Sequence, residues 1–377
     1  MPGRRRLAGR LTAPAAVAVL LAGLPPTSFG AARAAGDDPD LCDRASAGAV
    51  AGHLAEPALT ELSGLAASPT HDGVLWAHND SGGAPALHAL APDGTALGTF
   101  PIAGAEAVDW EDMAVGPGPD PTRPLLYVGD IGDNDAVRDS VTIYRAAEPQ
   151  ARPDGVGVAL ALVDATAVRY PNGPADVEAL LVDPDTGDVL LITKSYAGAS
   201  RVLRVDQGDL GQAGVVTAED VGGLRVPLVA AFGGGLPGTA VTGADAAPDG
   251  SVVLVRTYQS VLALARPPGG TLVDAFSSEP CEAPQLAEDQ GEAIAFTRAG
   301  DAYLTIGEGP GTPVHRFPLA PPEVPTTTTA EGLDPPAVGA AEEDDRAVAV
   351  IVIGAVAVIA AVVLLGARLR RRRDRAA

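Results

Sequence analysis

The chain has 377 residues, 48 of them acidic against 26 basic, for a formal net charge of −22. This excess of carboxylates excludes nucleic acid as a partner, because phosphate binding needs a basic face. Aromatics make up only 4%, beside 45 glycines and 34 prolines, a balance that suits turn-rich β structure and not a helical bundle.

Residues 1–35 read as a secretory signal. Arg4, Arg5, Arg6 and Arg10 form its charged start, Ala15 to Leu24 its apolar core, and Ala32-Arg33-Ala34 its cleavage region. Pro25 and Pro26 cut the apolar run too short for a membrane span. Residues 36–320 then form the extracellular domain.

Five related units follow one another in that domain. Their first runs are Ser63 to Ala66, Glu111 to Ala114, Glu178 to Leu181, Gly243 to Ala246 and Glu292 to Ala295. Their second runs are Val74 to Asp80, Leu126 to Asp130, Leu190 to Lys194, Val253 to Tyr258 and Tyr303 to Glu308. Between the two lie hairpin signals such as Asp72-Gly73, Gly187-Asp188, Asp249-Gly250 and Gly300-Asp301. A third run follows in each unit, and a fourth in some, as in Ala96 to Ile102 and Val158 to Val168. Four short antiparallel strands per repeat predict an all-β fold, a β-propeller of five blades. A sixth blade would fit within Val215 to Ala240.

The fifth unit lacks a fourth strand, and Ala49 to Leu54 has no blade of its own. The N-terminal strand therefore completes the last blade and closes the ring, which otherwise leaves open sheet edges. Cys42 precedes that strand, and Cys281 lies in the connection into the fifth unit. These are the only two cysteines, and outside the cell they are expected to be bonded.

From Pro321 the composition changes. Residues 321–346 are a Pro/Thr-rich and then acidic linker, extended rather than packed. Ala347 to Ala367 is an unbroken apolar or small run of 21 residues, roughly 31 Å long as a helix and enough to cross a bilayer. Residues 368–377 form a basic tail with Arg368, Arg370, Arg371, Arg372, Arg373 and Arg375. Positive residues stay cytoplasmic. The reading is a single-pass cell-membrane protein with the large domain outside and the C-terminus inside.

In a propeller the starts of the first strands and the ends of the second strands share one face. The first ring is Glu61, Asp109, Glu111, Asp112, Asp176, Glu178, Asp245 and Glu292. The second is His78, Asn79, Asp80, Asp130, Asp133, Asn134, Lys194, Arg256, Tyr258 and Glu308. Two readings stand side by side. The carboxylates hold a hard cation such as Ca2+, or they bond loop backbone and fix the turns between blades. The metal candidates are Asp109, Glu111, Asp112, Asp130, Asp133, Asn134, Glu178 and Glu292, with the Gly-rich loop Gly129 to Asn134 foremost. The ligand-binding candidates are His78, Asn79, Asp80, Lys194, Arg256, Tyr258 and Glu308. Lys194 is the single lysine of the chain, placed to pair with Glu178 or to hold an anionic group. No Gly-x-Ser-x-Gly elbow or His-Glu-x-x-His pattern points to a catalytic residue.

The series Ser63-Gly64-Leu65, His78-Asn79-Asp80-Ser81-Gly82, Asp109-Trp110-Glu111-Asp112, Gly129 to Asn134, Asp176 to Leu180, Arg256-Thr257-Tyr258 and Gly291-Glu292-Ala293 resembles a family of secreted, largely actinobacterial β-propellers. That family is similar to TolB-like and phytase-like propellers. The phytase-like resemblance implies a calcium-dependent phosphoesterase, with Lys194, Arg138 and Arg256 as its basic contacts. The leading expectation is a membrane-anchored extracellular propeller that binds a ligand or protein partner and carries a Ca2+ site. The alternatives are a hydrolase of phosphoesters or lactones at the same mouth, and a structural scaffold of the cell envelope.

Overall fold

Alternating apolar runs joined by glycine turns fold into hairpins, and hairpins that bury both faces must stack on one another. In the computed structural model, which describes residues 41–321 apart from 82, 151, 156–157 and 227–235, they form five sheets. A short helix α1 (Leu41–Arg44) and strand β1 (Ala49–His53) come first. Blade 1 holds β2 (Leu62–Ala67), β3 (Leu75–Asn79), β4 (Ala86–Leu90) and β5 (Ala96–Pro101). Blade 2 holds β6 (Trp110–Gly116), β7 (Leu125–Asp130), β8 (Val141–Ala147) and β9 (Ala161–Arg169). Blade 3 begins with β10 (Val177–Val182), β11 (Val189–Thr193) and β12 (Ala199–Val205). Next along the chain come β13 (Val215–Thr217), which joins blade 2, and β14 (Glu219–Arg225), which completes blade 3. Blade 4 holds β15 (Val241–Ala246), β16 (Val252–Thr257), β17 (Val261–Ala265) and β18 (Cys281–Ala283). Blade 5 holds β19 (Gly291–Phe296), β20 (Ala302–Gly307) and β21 (Pro313–Pro318), with β1 as its outer strand.

The first turn of blades 1, 3, 4 and 5 places Gly73, Gly187, Gly250 and Gly300 at φ of 65°, 78°, 67° and 67°. A side chain is strained in that left-handed region, so glycine fixes the tight reversal. The inner strands β2, β6, β10, β15 and β19 stand side by side around the axis. The core lies between blades. Trp76, Met113 and Leu126 fill one wedge, Tyr127, Leu180 and Leu191 the next, and Val241, Val255 and Leu262 another. Each large apolar side chain buried this way contributes about 1.5–3 kcal/mol.

Ring closure follows the expected route. β1 pairs antiparallel with β21, Ala49 opposite Arg316 and His53 opposite Pro313. Cys42 and Cys281 are bonded, with their Cα atoms 6.2 Å apart. Cys281 differs in place from expectation. It opens β18, the outer strand of blade 4, so the bond ties the lead into the closing strand to the neighbouring blade. The Val215 to Ala240 region also differs. Instead of a sixth blade it supplies two edge strands, β13 running parallel to β9 and β14 pairing with β12, and the described residues contain no sixth sheet.

The described chain enters and leaves together. Ala45 bridges Leu319, and Leu319 N donates to Asp301 O in the β19–β20 turn. Both ends therefore lie on the face opposite the inner-strand starts. Among the described residues no helix is long and apolar enough to cross a membrane. The signal at 1–35, the linker beyond Pro321, the apolar run at 347–367 and the basic tail at 368–377 lie outside the described residues.

Candidate functional site: an acidic mouth

Every inner strand breaks register with its neighbour at one equivalent point, next to its start. A bulge leaves one residue unpaired and re-aims its side chain. The residues at these points are Ser63, Glu111, Glu178, Thr242 and Glu292. Two of them stitch neighbouring blades together. Ser63 Oγ donates to Glu111 O, and Thr242 Oγ1 donates to Gly291 O at 2.9 Å. The other three are glutamates. The register also corrects the fourth unit, where the ring position belongs to Thr242. Asp245 lies three residues further on and faces the other end of the axis.

Asp112 follows the bulge and is fully buried. The inner strands are sheet edges toward the axis, so their inward N–H groups have no strand partner. Asp112 meets two of them. Its Oδ2 accepts from Leu180 N and Ala244 N, each at 3.0 Å, and its Oδ1 from Met113 N at 2.8 Å. One carboxylate of blade 2 thereby pins blades 3 and 4. The equivalent residues Gly64, Ala179, Gly243 and Ala293 are small, which leaves it room. Asp112 was a metal candidate by sequence, and its place is in this structural bond set.

The carboxylates that converge at the mouth are Asp80, Asp109 and Glu111 as one group and Glu111, Asp176 and Glu178 as another, with oxygens of each group within 4.8 Å of one another. Glu111 belongs to both. It is 3% exposed, and among the described residues its carboxylate has no hydrogen-bond or ion-pair partner. Burial, then Glu178, Asp80 and Asp109, push its carboxyl well above the ordinary range. Burial raises Asp80 to about 6 and Glu292 to about 7. Glu292 Oε1 accepts from Gln290 Nε2 at 2.8 Å, and Glu308 is half-buried nearby and also raised by burial.

Lys194 is a cation of this mouth. Its Nζ lies 2.8 Å from Glu178 Oε1 and 5.4 Å from the centre of the Tyr258 ring. Burial pushes Glu178 upward while Lys194 opposes the shift.

The loop Gly129 to Asn134 is a wall of the cluster, and its carboxylates bond loop backbone, the second of the two readings. Asp130 accepts from Val108 N and Asp109 N at 3.2 Å and pairs with Arg138 at 2.8 Å. Asp133 accepts from Val137 N at 2.9 Å and Arg138 N at 2.8 Å. Both carboxylates are thus committed to holding the loop, and Asn134 is exposed. The loop meets the cluster through Gly132. A Cβ there would lie 2.1 Å from Glu111 Oε1 and 2.6 Å from Asp109 Oδ2, so glycine is required by close approach.

The remaining candidates hold structure. His78 is fully buried against Trp110, with burial lowering its pKa to about 4, and it does not reach the mouth surface. Asn79 fastens the preceding loop through Glu61 N at 3.1 Å and Ala58 O at 2.7 Å. Arg256 is 1% exposed and pairs with Glu288 at 2.5 Å. All three basic groups named from the sequence, Arg138, Lys194 and Arg256, are engaged by carboxylates. Sequence reading missed Ser63, Thr242, Gln290 and Gly132. The signal for the first two was the hydroxyl at the residue equivalent to Glu111.

No protein-family model and no curated protein matches the chain. Among solved structures it is similar to RRP9 WD40 repeats (11% identity, 73% of this chain and 100% of that chain, TM-score 0.36). It is also similar to U3-55K (11% identity, 71% and 98%, TM-score 0.35). Likenesses at these scores carry no argument about what the mouth does, and the five-bladed propeller rests on the strand pairing itself.

Proposed function

We propose that this chain is an exported, membrane-tethered β-propeller whose acidic mouth binds a divalent cation, Ca2+ foremost, and presents it to an extracellular ligand or partner. One observation carries the cation reading. Glu111 is a buried carboxylate shared by two groups of carboxylate oxygens, and no described residue makes a hydrogen bond or ion pair to it. A buried charge without a counterion is costly, and a cation among hard oxygen donors removes that cost. Asp80, Asp109 and Glu111 are the first ligand set, and Asp176 and Glu178 adjoin it. The mouth lies opposite the face where the described chain enters and leaves.

The export reading rests on the signal pattern of residues 1–35, and the tether on the apolar run 347–367 with its arginines. The disulfide between Cys42 and Cys281 suits an oxidising compartment. Calorimetric titration of Ca2+ into the full chain tests the cation site. Saturable binding that weakens strongly in Glu111→Gln supports it, and no heat from the unmodified chain at millimolar Ca2+ refutes it.

A further inference from the structure

The far end of the axis carries a second site of opposite character. Six residues after each ring position the chain reaches Pro69, Pro117, Pro184, Pro248 and, in blade 5, Arg298. Four prolines at equivalent places rim a cavity of about 340 Å3, within the range of small-molecule pockets, roughly 300–1,000 Å3. Its walls include Val115, Val182 and Phe296. At the rim, Arg298 is paired with Asp72.

Asp245 is the one carboxylate in a lining whose other polar side chains are Ser68, Thr297 and Arg298. Asp245 occupies the position held by Ala66, Ala114, Leu181 and Ala295 in the other blades. It lies deep in the protein yet opens onto the cavity. Its Oδ1 accepts from Ala246 N at 2.9 Å and its Oδ2 from Phe296 N at 2.8 Å. Those bonds leave acceptor capacity on both oxygens, since an ionised carboxylate offers about four sites. An amide or hydroxyl oxygen would also serve Phe296 N. A carboxylate adds charge, and no basic side chain among the described residues pairs with it. Charge at the floor of an apolar cavity calls for a counterion.

We propose that this cavity binds a small apolar molecule bearing one ammonium group, its body against the proline rim and its ammonium on Asp245. The ammonium supplies the donors that the carboxylate lacks, and the apolar body displaces water from the walls. The site is separate from the acidic mouth and independent of the cation there.

Tryptamine, indole and indole-3-acetate share one ring system and differ in charge, so they serve as probes. Titrated into the full chain, tryptamine should bind at least about tenfold more tightly than indole, and indole-3-acetate should not bind. Asp245→Ala, which installs the residue of three other blades, should bring tryptamine down to the level of indole. Val115→Trp, which fills the cavity, should abolish both. Equal affinity for tryptamine and indole, or no binding of either, overturns the proposal. So does tryptamine binding that survives Val115→Trp, because the amine is then held elsewhere, as at the acidic mouth. If Asp245→Ala does not fold, the probe series and Val115→Trp still decide.

Discussion

Lys194 Nζ sits 2.8 Å from Glu178 Oε1, and the two side chains are only 8% and 4% exposed. Glu178 belongs to one of the carboxylate groups that contain Glu111. The ammonium is therefore a built-in competitor for any cation that enters the mouth. Lys194→Met should tighten Ca2+ binding by about tenfold, or 1.4 kcal/mol, by calorimetry. In chelator the same variant should be less stable, because Glu178 is left buried without its partner, and Ca2+ should restore it. Unchanged or weaker Ca2+ binding would show that the lysine is not a competitor.

The buried carboxyls make stability depend on pH in an unusual direction. Burial raises Asp245 and Glu292 to about 7 and Asp80 to about 6, whereas the unfolded values are about 4. Between those values the folded state holds more protons than the unfolded state. Stability from these groups is thus full below the unfolded values and falls as pH rises toward the folded ones. In chelator the urea midpoint should drop from about pH 5 to about pH 8. A midpoint that rises across that window would contradict this account of the mouth and axis.

Asp112 holds three blades through one side chain. Asp112→Ala strands Leu180 N and Ala244 N in the interior, at about 1–3 kcal/mol for each unmet donor. Chemical denaturation of the full chain should show that loss. A variant as stable as the parent would mean that the axis does not depend on this carboxylate.

The disulfide should matter at the closure seam. Bonding of Cys42 to Cys281 restrains the end that leads into β1. Replacing both by serine should cost roughly 2–4 kcal/mol, with amide exchange rising first in β1 and β21. Uniform exchange throughout the ring would argue against a seam there.

Blade order was legible because each hairpin carries its own turn chemistry, as at Asp72-Gly73 and Asp249-Gly250, and each inner strand is an apolar run. The outer strands of blades 3 and 4 were not. Glu219–Arg225 is mostly exposed, with Gly222 and Gly223 inside it, and Cys281–Ala283 is three residues long, so neither shows an apolar period. The mouth was half legible for a related reason. A carboxylate that accepts backbone N–H groups, as Asp130 and Asp133 do, reads in the sequence like one to which no described residue bonds, as at Glu111. Only the folded register separates them. In β15 the shared break in register falls at Thr242, one step from where the unit alignment placed it.

Glu111 is the centre of the proposed cation site, and calcium titration of the full chain beside Glu111→Gln tests that site most directly. The unmodified chain should bind Ca2+ saturably and melt at a higher temperature in Ca2+ than in chelator, since binding to the native state alone adds stability. Glu111→Gln should lose most of that affinity while melting no lower than the parent in chelator, because burial already favours the uncharged form of this carboxyl. Equal Ca2+ affinity in the two proteins, or none in the unmodified chain, would contradict the cation site.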